Sequence, residues 1–218
     1  MANTGTARTK TALPRTAPRR VKKDRAGRLV FLREFLRRPG QLGTCFTSSK
    51  PLARKMVEGL GIERARNVVE LGPGPGPVTA EILSRLPAGA RFLAIEQNPA
   101  LAAVLRERFP GLRIAIDDAA NIERLCRRAG IAPGAVDCIV SGVPFLLLEP
   151  PAQRRLLAAI AAVLKPGGMF SQVTYGAEGL MPKARRFRAL LESLFPHVRR
   201  IGPVLTNVPP AFVYKCRT

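Results

Sequence analysis

From residue 48 onward, the hydrophobic and polar positions of the chain alternate between two periods. In six segments the apolar residues recur every three or four positions, the spacing of a helix that buries one face. Between these segments lie short runs rich in β-branched residues, which are typical of buried strands. The predicted helices are Lys50–Leu60, Val78–Leu86, Pro99–Phe109, Ile122–Ala129, Pro150–Leu164 and Pro182–Leu194. The predicted strands are Asn67–Leu71, Arg91–Ile95, Leu112–Ile116, Val136–Val140, Met169–Val173, His197–Ile201 and Ala211–Cys216.

This alternation of strands and helices predicts an α/β fold of Rossmann-like type. A strand that is followed by a helix and then by another strand usually continues a parallel sheet, with helices on both faces. The last two predicted strands follow one another with no helix between them. We therefore expect a mostly parallel, seven-stranded sheet that ends in a C-terminal antiparallel hairpin.

The N-terminal segments differ in composition from this domain, which we place at residues 41–218. Residues 1–25 contain eight Lys or Arg and one acid, and they predict a disordered basic tail. Such a tail is either simply solvated or a tether to an anionic membrane or RNA. Residues 26–40 predict an amphipathic helix, which either packs on the domain or lies in a membrane interface. Its shared apolar face contains Leu29, Phe31, Leu32, Phe35 and Leu36.

A glycine-rich turn follows the first predicted strand, where Glu70-Leu71 leads into glycines at positions 72, 74 and 76. A strand, a glycine turn and a helix in this order typically open a nucleotide-type site. The prolines at positions 73, 75 and 77 have no backbone N–H, whereas a phosphate cradle needs several such donors. The turn therefore favours a ligand without phosphate. S-adenosylmethionine, which carries an ammonium and a sulfonium, meets this requirement, and a tight turn without a ligand is the alternative.

Acidic residues end three consecutive strands of the pattern, at Glu70, Glu96 and Asp118. Ligands of a parallel sheet bind beyond the carboxyl ends of its strands, so these acids should converge in one crevice with Ser141 and Tyr175. A carboxylate in the position of Glu96 can accept hydrogen bonds from both hydroxyls of a ribose. Asp118 is placed to meet an adenine amino group.

The charge of the chain points to an anionic partner. There are 36 Lys and Arg against 15 Asp and Glu, a formal net charge of +21. Nucleic acid and an acidic membrane face would both be attracted by this charge. The four cysteines and the single histidine do not have the spacing of a zinc site, so we expect no metal. We find neither a signal peptide nor a membrane-spanning segment, and we expect a reduced, cytoplasmic protein.

Four further segments carry a family resemblance: Glu70-Leu71-Gly72-Pro73-Gly74-Pro75-Gly76, Ser141-Gly142-Val143-Pro144-Phe145, Gln172-Val173-Thr174-Tyr175 and Asn207-Val208-Pro209-Pro210-Ala211. With them, the chain from about residue 31 resembles the bacterial phospholipid N-methyltransferases, which methylate phosphatidylethanolamine. It departs from that family at Pro75, where Thr is common, and at Phe145, where Leu is usual. The resemblance implies a class I S-adenosylmethionine-dependent methyltransferase that leaves S-adenosylhomocysteine as product. It also implies peripheral association, through the N-terminal helix, with the inner face of the cytoplasmic membrane, where the enzyme would make methylated phosphatidylethanolamine and, further on, phosphatidylcholine. We expect a monomer.

The resemblance also implies roles for single residues on the cofactor side. The glycines at positions 72, 74 and 76 would hold the methionine part, with Glu70 near its ammonium. Glu96 and Gln97 would bind the ribose, and Asp118 and Ala119 the adenine. Ser48 and Ser49 would close the pocket, and Ser141 would lie between cofactor and acceptor. The cofactor residues implied in this way are Ser48, Ser49, Glu70, Gly72, Gly74, Gly76, Glu96, Gln97, Asp118, Ala119 and Ser141.

On the acceptor side, Tyr175 is the first candidate for positioning the headgroup amine, and Ser141 and Glu149 are further candidates for catalysis. Glu149 would accept the proton that the ammonium of the acceptor must lose. Phe145 and Asn207 would form walls of the acceptor pocket. A basic group at the start of the last helix would bind the lipid phosphate or is simply a solvated face. This group contains Lys183, Arg185 and Arg186.

Two alternatives to a lipid methyltransferase stay open. The ribosomal RNA adenine dimethyltransferases have Asn-Leu-Pro-Tyr where this chain has Gly142-Val143-Pro144-Phe145. Their asparagine polarises the weakly nucleophilic adenine amine, and an aliphatic amine needs no such help once it is deprotonated. The absence of the asparagine favours an aliphatic amine and makes nucleic acid an unexpected partner. The second alternative is a non-catalytic basic module that binds membranes or RNA.

Overall fold

The structure, a computed structural model, describes residues 48–176, 181–207 and 209–218 of the 218-residue chain. The predicted basic tail and amphipathic helix lie outside the described residues. The strands are β1 (Asn67–Leu71), β2 (Arg91–Glu96), β3 (Ile114–Ile116), β4 (Val136–Ser141), β5 (Leu164–Tyr175), β6 (His197–Val204) and β7 (Ala211–Arg217). The helices are α1 (Lys50–Val57), α2 (Pro77–Leu83), α3 (Pro99–Arg108), α4 (Ile122–Arg128), α5 (Pro150–Val163) and α6 (Pro182–Leu194).

The strands form one seven-stranded sheet in the order β3-β2-β1-β4-β5-β7-β6. Strands β1 to β5 pair in parallel, and β7 is antiparallel to both β5 and β6. This topology confirms the predicted Rossmann-like class, including the C-terminal hairpin at the edge of the sheet. The strand order reverses between β1 and β4, and such a reversal is where sheets of this kind bind their ligands.

Helices cover both faces of the sheet, because alternate residues of each buried strand point to opposite sides. Val69 and Leu71 contribute to a core cluster with α4, α5 and α6, whereas Val68 belongs to a second cluster with α1, α2 and α3. The same alternation gives Glu70 and Glu96 the face that carries α2 and α3. Among the described residues, no helix combines the length and the apolar composition that crossing a bilayer requires.

The largest departure from the predicted elements is β5. The strand runs from Leu164 to Tyr175, starting directly where α5 ends, whereas the sequence pattern predicts only Met169–Val173. Pro166, Gly167 and Gly168 are typical of a turn. They are tolerated in the strand at the end where the pairing with β4 becomes irregular.

Candidate active site

The glycine loop, residues 72–76, connects β1 to α2 at the carboxyl edge of the sheet, where the parallel strands end. All three of its glycines have left-handed backbones, with φ of +63° at Gly72, +55° at Gly74 and +84° at Gly76. A side chain at position 76 would also clash, because a Cβ there would lie 2.6 Å from the ring of Phe109. The guanidinium of Arg108 donates to the carbonyl oxygen of Pro75 at 2.7 Å and fixes the loop from the outside.

The loop has no N–H group to spare for a phosphate. Prolines occupy positions 73, 75 and 77, and the N–H of each glycine already has an acceptor. Gly72 donates to the carbonyl of Ile95 at 2.9 Å, Gly76 donates to the carbonyl of Pro73 at 3.0 Å, and Gly74 donates to the carboxylate of Glu96 at 3.0 Å. A phosphate site at a helix start depends on converging free N–H groups. The geometry thus supports the inference from the prolines that this loop suits a ligand without phosphate.

Glu96 ends β2 and faces the glycine loop. Its second carboxylate oxygen accepts from the N–H of Asn98 at 2.9 Å, and Asn98 itself caps the start of α3. Burial raises the pKa of Glu96, and its backbone hydrogen bonds partly offset that rise. The carboxylate is therefore held in one orientation at the mouth of the crevice. Its predicted contact with a ribose remains a prediction.

Glu70 lies deeper, at 1% exposure, behind the glycine loop. Its carboxylate accepts from the hydroxyl of Thr79 in α2 at 2.7 Å, so it connects the strand before the loop to the helix after it. Burial raises the pKa of Glu70 to about 8, and the nearby charge of Glu96 adds to the rise. The structure thus shows Glu70 as a brace of the loop. The predicted contact with the ligand ammonium is a separate role that it leaves untested.

The predicted adenine side is more open. Asp118 is exposed and accepts from the N–H of Ala120 at 2.8 Å, which caps a short 3-10 turn over Ala119–Asn121. Gln97 is also exposed, one position beyond β2, and Ala119 is half-buried against the core. These three residues follow the carboxyl ends of β2 and β3. They therefore lie at the same edge of the sheet as the glycine loop.

Ser141 and Gly142 lie at the point where the strand order reverses. Ser141 is fully buried at the end of β4, and its hydroxyl accepts from the N–H of Val143 at 3.2 Å. The N–H of Gly142 donates to the carbonyl of Leu71 at 2.8 Å. A Cβ at position 142 would lie 2.7 Å from the carbonyl oxygen of Gly72, so the backbone after β4 packs directly against the glycine loop.

Phe145, a predicted wall of the acceptor pocket, lies in the core instead of on the crevice surface. It is 1% exposed, and its ring centroid is 5.2 Å from that of Phe187 in α6. The 3-10 turn over Phe145–Leu147 directs this ring inward, and a buried ring in this position cannot stack on an acceptor. The segment is also fixed by Gln172 of β5, whose side-chain N–H donates to the carbonyl of Val143 at 2.8 Å.

Four of the predicted site residues meet on the other side of the carboxyl edge. Asn207, in the turn after β6, is buried and accepts from the N–H of Ser49 at 2.9 Å. Ser48 shares a hydrogen bond with Tyr175 at the end of β5, and burial raises the pKa of that tyrosine. The start of α1, the end of β5 and the β6–β7 turn are thereby joined into one wall. Sequence separations of more than 100 residues are bridged in this way.

The remaining predicted residues are exposed. Glu149 precedes α5 and caps it with its backbone alone, because its side chain makes no capping hydrogen bond. The three basic residues of the predicted phosphate group are exposed in the first turns of α6, and none of them forms an ion pair with a carboxylate of the described residues. They are Lys183, Arg185 and Arg186.

Large apolar side chains are exposed around the same edge. We call this set the apolar rim; it contains Ile116 at 43% exposure, Leu147 at 58%, Met181 at 40% and Leu205 at 70%. Each follows or ends a strand at its carboxyl end, or begins the helix that comes next. Within the described part of the chain, they are the large hydrophobic side chains that are exposed.

Comparison with known proteins gives this site an identity. Residues 68–168 match the family model of a methyltransferase domain. The ornithine lipid N-methyltransferase of Singulisphaera acidiphila is 31% identical over 191 residues, which cover 86% of this chain and 94% of that protein. The ribosomal RNA small subunit methyltransferase A of Chlorobium limicola is 34% identical over 116 residues, 50% of this chain and 42% of that enzyme. The O-methyltransferase TomG of Streptomyces achromogenes, solved with S-adenosylmethionine, superimposes with a TM-score of 0.65 at 19% identity, over 91% of this chain and 92% of TomG.

The fold and the site define a class I S-adenosylmethionine-dependent methyltransferase. The chain belongs to that class and, within it, to the family of the Singulisphaera protein. S-adenosylmethionine is therefore its methyl donor. The residues fit this cofactor, because the glycine loop has no free donor for phosphate and, at Gly74, faces open space beside the carboxylate of Glu96.

Three residues of the site were not singled out from the sequence. Asn98 had a signal, since an Asn before a Pro is typical of a helix start. Thr79 and Arg108 had none, because their roles depend on contacts that only the folded sheet creates. Arg108 is the clearest example, since Pro75, whose carbonyl it binds, lies 33 positions earlier in the chain.

Proposed function

We propose that this protein transfers methyl groups from S-adenosylmethionine to the primary amine of a membrane lipid headgroup, with phosphatidylethanolamine as the candidate substrate. The observation that carries the proposal is the apolar rim. Exposed side chains such as Leu147 and Leu205 surround the edge at which the site opens. Exposed apolar surface at a site edge can mark a place that binds proteins, membranes or ligands. A bilayer surface would cover the rim while it delivers a headgroup to the crevice.

The charge next to the rim supports a lipid acceptor. The basic residues at the start of α6 lie beside Met181 of the rim and have no carboxylate partner among the described residues. Arg and Lys in such a position can bind the anionic group of a lipid headgroup. Apolar and basic side chains together are the combination that binds an anionic membrane interface. We infer peripheral binding of a monomer to the inner face of the cytoplasmic membrane.

The backbone at Gly142 supports an aliphatic amine as the acceptor. A Cβ in this position would lie 2.7 Å from the carbonyl oxygen of Gly72, so the asparagine that polarises an adenine amine in the RNA enzymes does not fit here without a backbone shift. An alkyl amine needs only to lose a proton and to be aligned for attack. When bound, the cofactor supplies a methyl group made electrophilic by its sulfonium.

Three residues are proposed to prepare the amine. Tyr175, which shares a hydrogen bond with Ser48, would orient the headgroup, and the buried hydroxyl of Ser141 would lie between cofactor and acceptor. Glu149, exposed at the start of α5, would receive the proton directly or through water. Alignment and proton removal together are all that this transfer requires of the protein.

Ornithine lipid is a second candidate acceptor. The relative from Singulisphaera is an ornithine lipid N-methyltransferase, and the match covers 94% of that protein, which favours ornithine lipid as the acceptor. Ornithine, like ethanolamine, offers a primary alkyl amine, so the arguments from Gly142 and the rim apply equally to both lipids. The anionic group that the basic residues of α6 would bind is the phosphate in one lipid and the carboxylate in the other.

A methylation assay with three acceptors in parallel tests the function. The full chain is given radiolabelled S-adenosylmethionine and either phosphatidylethanolamine vesicles, ornithine lipid vesicles or small-subunit ribosomal RNA, with phosphatidylglycerol present in both vesicle types. We expect label in the headgroup amine of a lipid, and the lipid that is methylated faster identifies the substrate. Label in the RNA alone would refute the proposal.

The role of the rim is tested by removing its two most exposed side chains. The double variant Leu147→Gln, Leu205→Gln should weaken binding to vesicles by about tenfold, because two partly inserted leucines are lost. Sedimentation with the vesicles measures the effect. The control is Ala132→Gln, an exposed position before β4 at the opposite edge of the sheet. If the two variants sediment alike, the rim does not face the membrane.

A further inference from the structure

A second concave site lies away from the candidate active site, between the end of α1 and the hairpin of β6 and β7. This open groove has a volume of about 770 Å³. We call it the basic groove; its charged and titratable lining residues are Lys55, Glu58, His197, Arg199, Lys215 and Arg217. They include the first residue of β6, so the groove lies near the edge of the sheet opposite to the glycine loop.

Four of these side chains form a compact array on one face of the hairpin. Arg199 of β6 lies directly opposite Lys215 of β7, and His197 lies opposite Arg217 two positions along. Like charges that face each other across a strand pair destabilise the pair. Neither Arg199 nor Arg217 forms an ion pair with a carboxylate of the described residues. The one acid of the groove, Glu58, is already paired with Lys55 at 2.7 Å.

Protection of the sheet edge explains only part of this array. Charged residues on an edge strand prevent pairing with another chain, and this accounts for Arg199 on β6. It does not account for Lys215 and Arg217, because β7 is an inner strand between β5 and β6. Lys215 is 7% exposed, and a lysine so buried usually has a charged partner.

The hydrogen bonding of the Lys215 ammonium is incomplete among the described residues. The ammonium donates to the carbonyl of Met56 at 2.5 Å, whereas an ammonium has three protons to donate. Burial lowers the pKa of Lys215 to about 7. The charged and titratable groups around it are Lys55 of α1, Glu58 just after α1, Arg85 after α2, Cys138 of β4 and Arg199 of β6. An anion in the groove would stabilise the charged form of this lysine.

We propose that the basic groove binds a phosphate-bearing anion, with Arg199 and Arg217 as its main ligands and Lys215 at the floor. Guanidinium groups bind phosphate through paired hydrogen bonds, and an unpaired array of cations gains most from such a ligand. This site is separate from methyl transfer and does not depend on the identity of the acceptor. The phosphate belongs either to a small soluble molecule or to a lipid headgroup.

Titration calorimetry of the full chain with inorganic pyrophosphate tests the site, and vesicles of phosphatidylglycerol, compared with phosphatidylcholine vesicles, provide the lipid arm. Whichever of the two ligands the wild type binds, pyrophosphate or phosphatidylglycerol vesicles, the variant Arg199→Ala, Arg217→Ala should bind it at least about tenfold more weakly. The reason is that two charge-assisted hydrogen bonds are lost. The matched control is Arg154→Ala, Arg155→Ala, which removes the same charge from an exposed part of α5. The control should bind as the wild type does.

The wild type should also take up protons when pyrophosphate or the lipid binds near pH 7.5, since binding raises the pKa of Lys215. Titrations in buffers with different ionisation enthalpies measure this uptake, and Lys215→Met should remove it. Binding of S-adenosylhomocysteine should stay unchanged in every groove variant, which shows that they fold. Pyrophosphate binding identifies a soluble ligand, and a groove-dependent effect on phosphatidylglycerol vesicles alone identifies a lipid. The proposal is overturned if neither source binds, or if the α5 control loses as much binding as the groove variant.

Discussion

The two halves of the carboxyl edge differ in how far their side chains are exposed to solvent. On the side of β1 and β2, the two carboxylates Glu70 and Glu96 are buried and hydrogen-bonded: Glu96 is 6% exposed and accepts from both Gly74 and Asn98. On the side of β4 to β6, apolar and basic side chains are left exposed, up to 70% for Leu205. The first side has the character of a protein interior, and the second has that of an interface.

This difference separates the two tasks of the enzyme. The methyl donor is a small molecule that a crevice can enclose, and a rigid backbone with few free donors suits such a ligand. The proposed acceptor is part of a membrane, far larger than any crevice, so its half of the site must remain open to a surface. The two halves meet where Gly142 contacts the glycine loop. Substitutions at the contact and on either side should therefore have distinguishable effects.

The largest effect is expected at the contact itself. In Gly142→Ala, the new Cβ would lie 2.7 Å from the carbonyl oxygen of Gly72. Because this distance is too short, the glycine loop or the segment after β4 must move. A displacement of about 1 Å between donor and acceptor can reduce the rate by about 100-fold. We expect a fall of that order in kcat/KM for the lipid, measured with the labelled cofactor.

The control for this variant is Gly168→Ala. A Cβ at position 168 would lie 2.8 Å from the carbonyl oxygen of Lys165, so its steric conflict is nearly the same, but it lies far from the crevice, near the start of β5. Both variants should have a lower Tm, and only Gly142→Ala should lose activity beyond what the loss of folded protein explains. Equal activities at equal folded fraction would show that the contact does not align the two halves.

A smaller effect is expected on the donor side alone. Glu96→Gln keeps the size of the side chain but removes the charge that two backbone N–H groups now share. Hydrogen bonds to a charged group contribute about 1.5–3 kcal/mol. Because the variant weakens both the bond that holds the glycine loop and the predicted bonds to the ribose, S-adenosylhomocysteine should bind at least about tenfold more weakly. Calorimetric titration measures this, with Glu107→Gln on the exposed face of α3 as the control. Vesicle binding should not change, and a parallel loss of vesicle binding would contradict the division into two halves.

The sequence predicted the scaffold of both halves, because periodicity records which face of each element is buried. The bounds of β1 and α6 are as predicted, and the strand ends that carry Glu70, Glu96, Ser141 and Tyr175 all meet at one edge. The prolines of the glycine loop predicted a ligand without phosphate because they have no N–H to donate. In the structure the N–H groups of the three glycines are also already hydrogen-bonded. Only β5 was clearly underestimated, because Pro166 and Gly167 are local signals that the pairing with β4 and β7 overrides.

The details of the site were less predictable, since they depend on contacts between distant segments. The ring of Phe145 was predicted to form a wall of the acceptor pocket, yet the turn that follows β4 buries it against Phe187. The wall formed by Ser49 and Asn207 joins positions that no local pattern relates. The apolar rim could not be predicted for a similar reason. Nothing in the local sequence distinguishes Leu147 and Leu205 from core leucines, and only the fold shows that they are exposed at the carboxyl edge.

The smallest effect on catalysis, and a clear effect on stability, is expected from Glu70→Gln. The native protein keeps a proton on Glu70 up to a pKa of about 8, whereas the unfolded chain releases it near 4.5. Because the native state binds the extra proton, the free energy of unfolding contributed by this group falls as the pH rises between these values. One proton corresponds to about 1.4 kcal/mol per pH unit. The glutamine can still accept from Thr79 and does not titrate.

Urea unfolding at pH 5, 6 and 7 measures this slope below the range in which Lys215, with its pKa lowered to about 7, would add a slope of opposite sign. The difference in stability between Glu70→Gln and the wild type should grow in favour of the variant as the pH rises, and Glu107→Gln should show no such trend. A constant difference would mean that Glu70 is charged in the folded protein. In that case its carboxylate would be free to attract the ammonium of the cofactor, and the donor half would be less like a protein interior than its burial indicates.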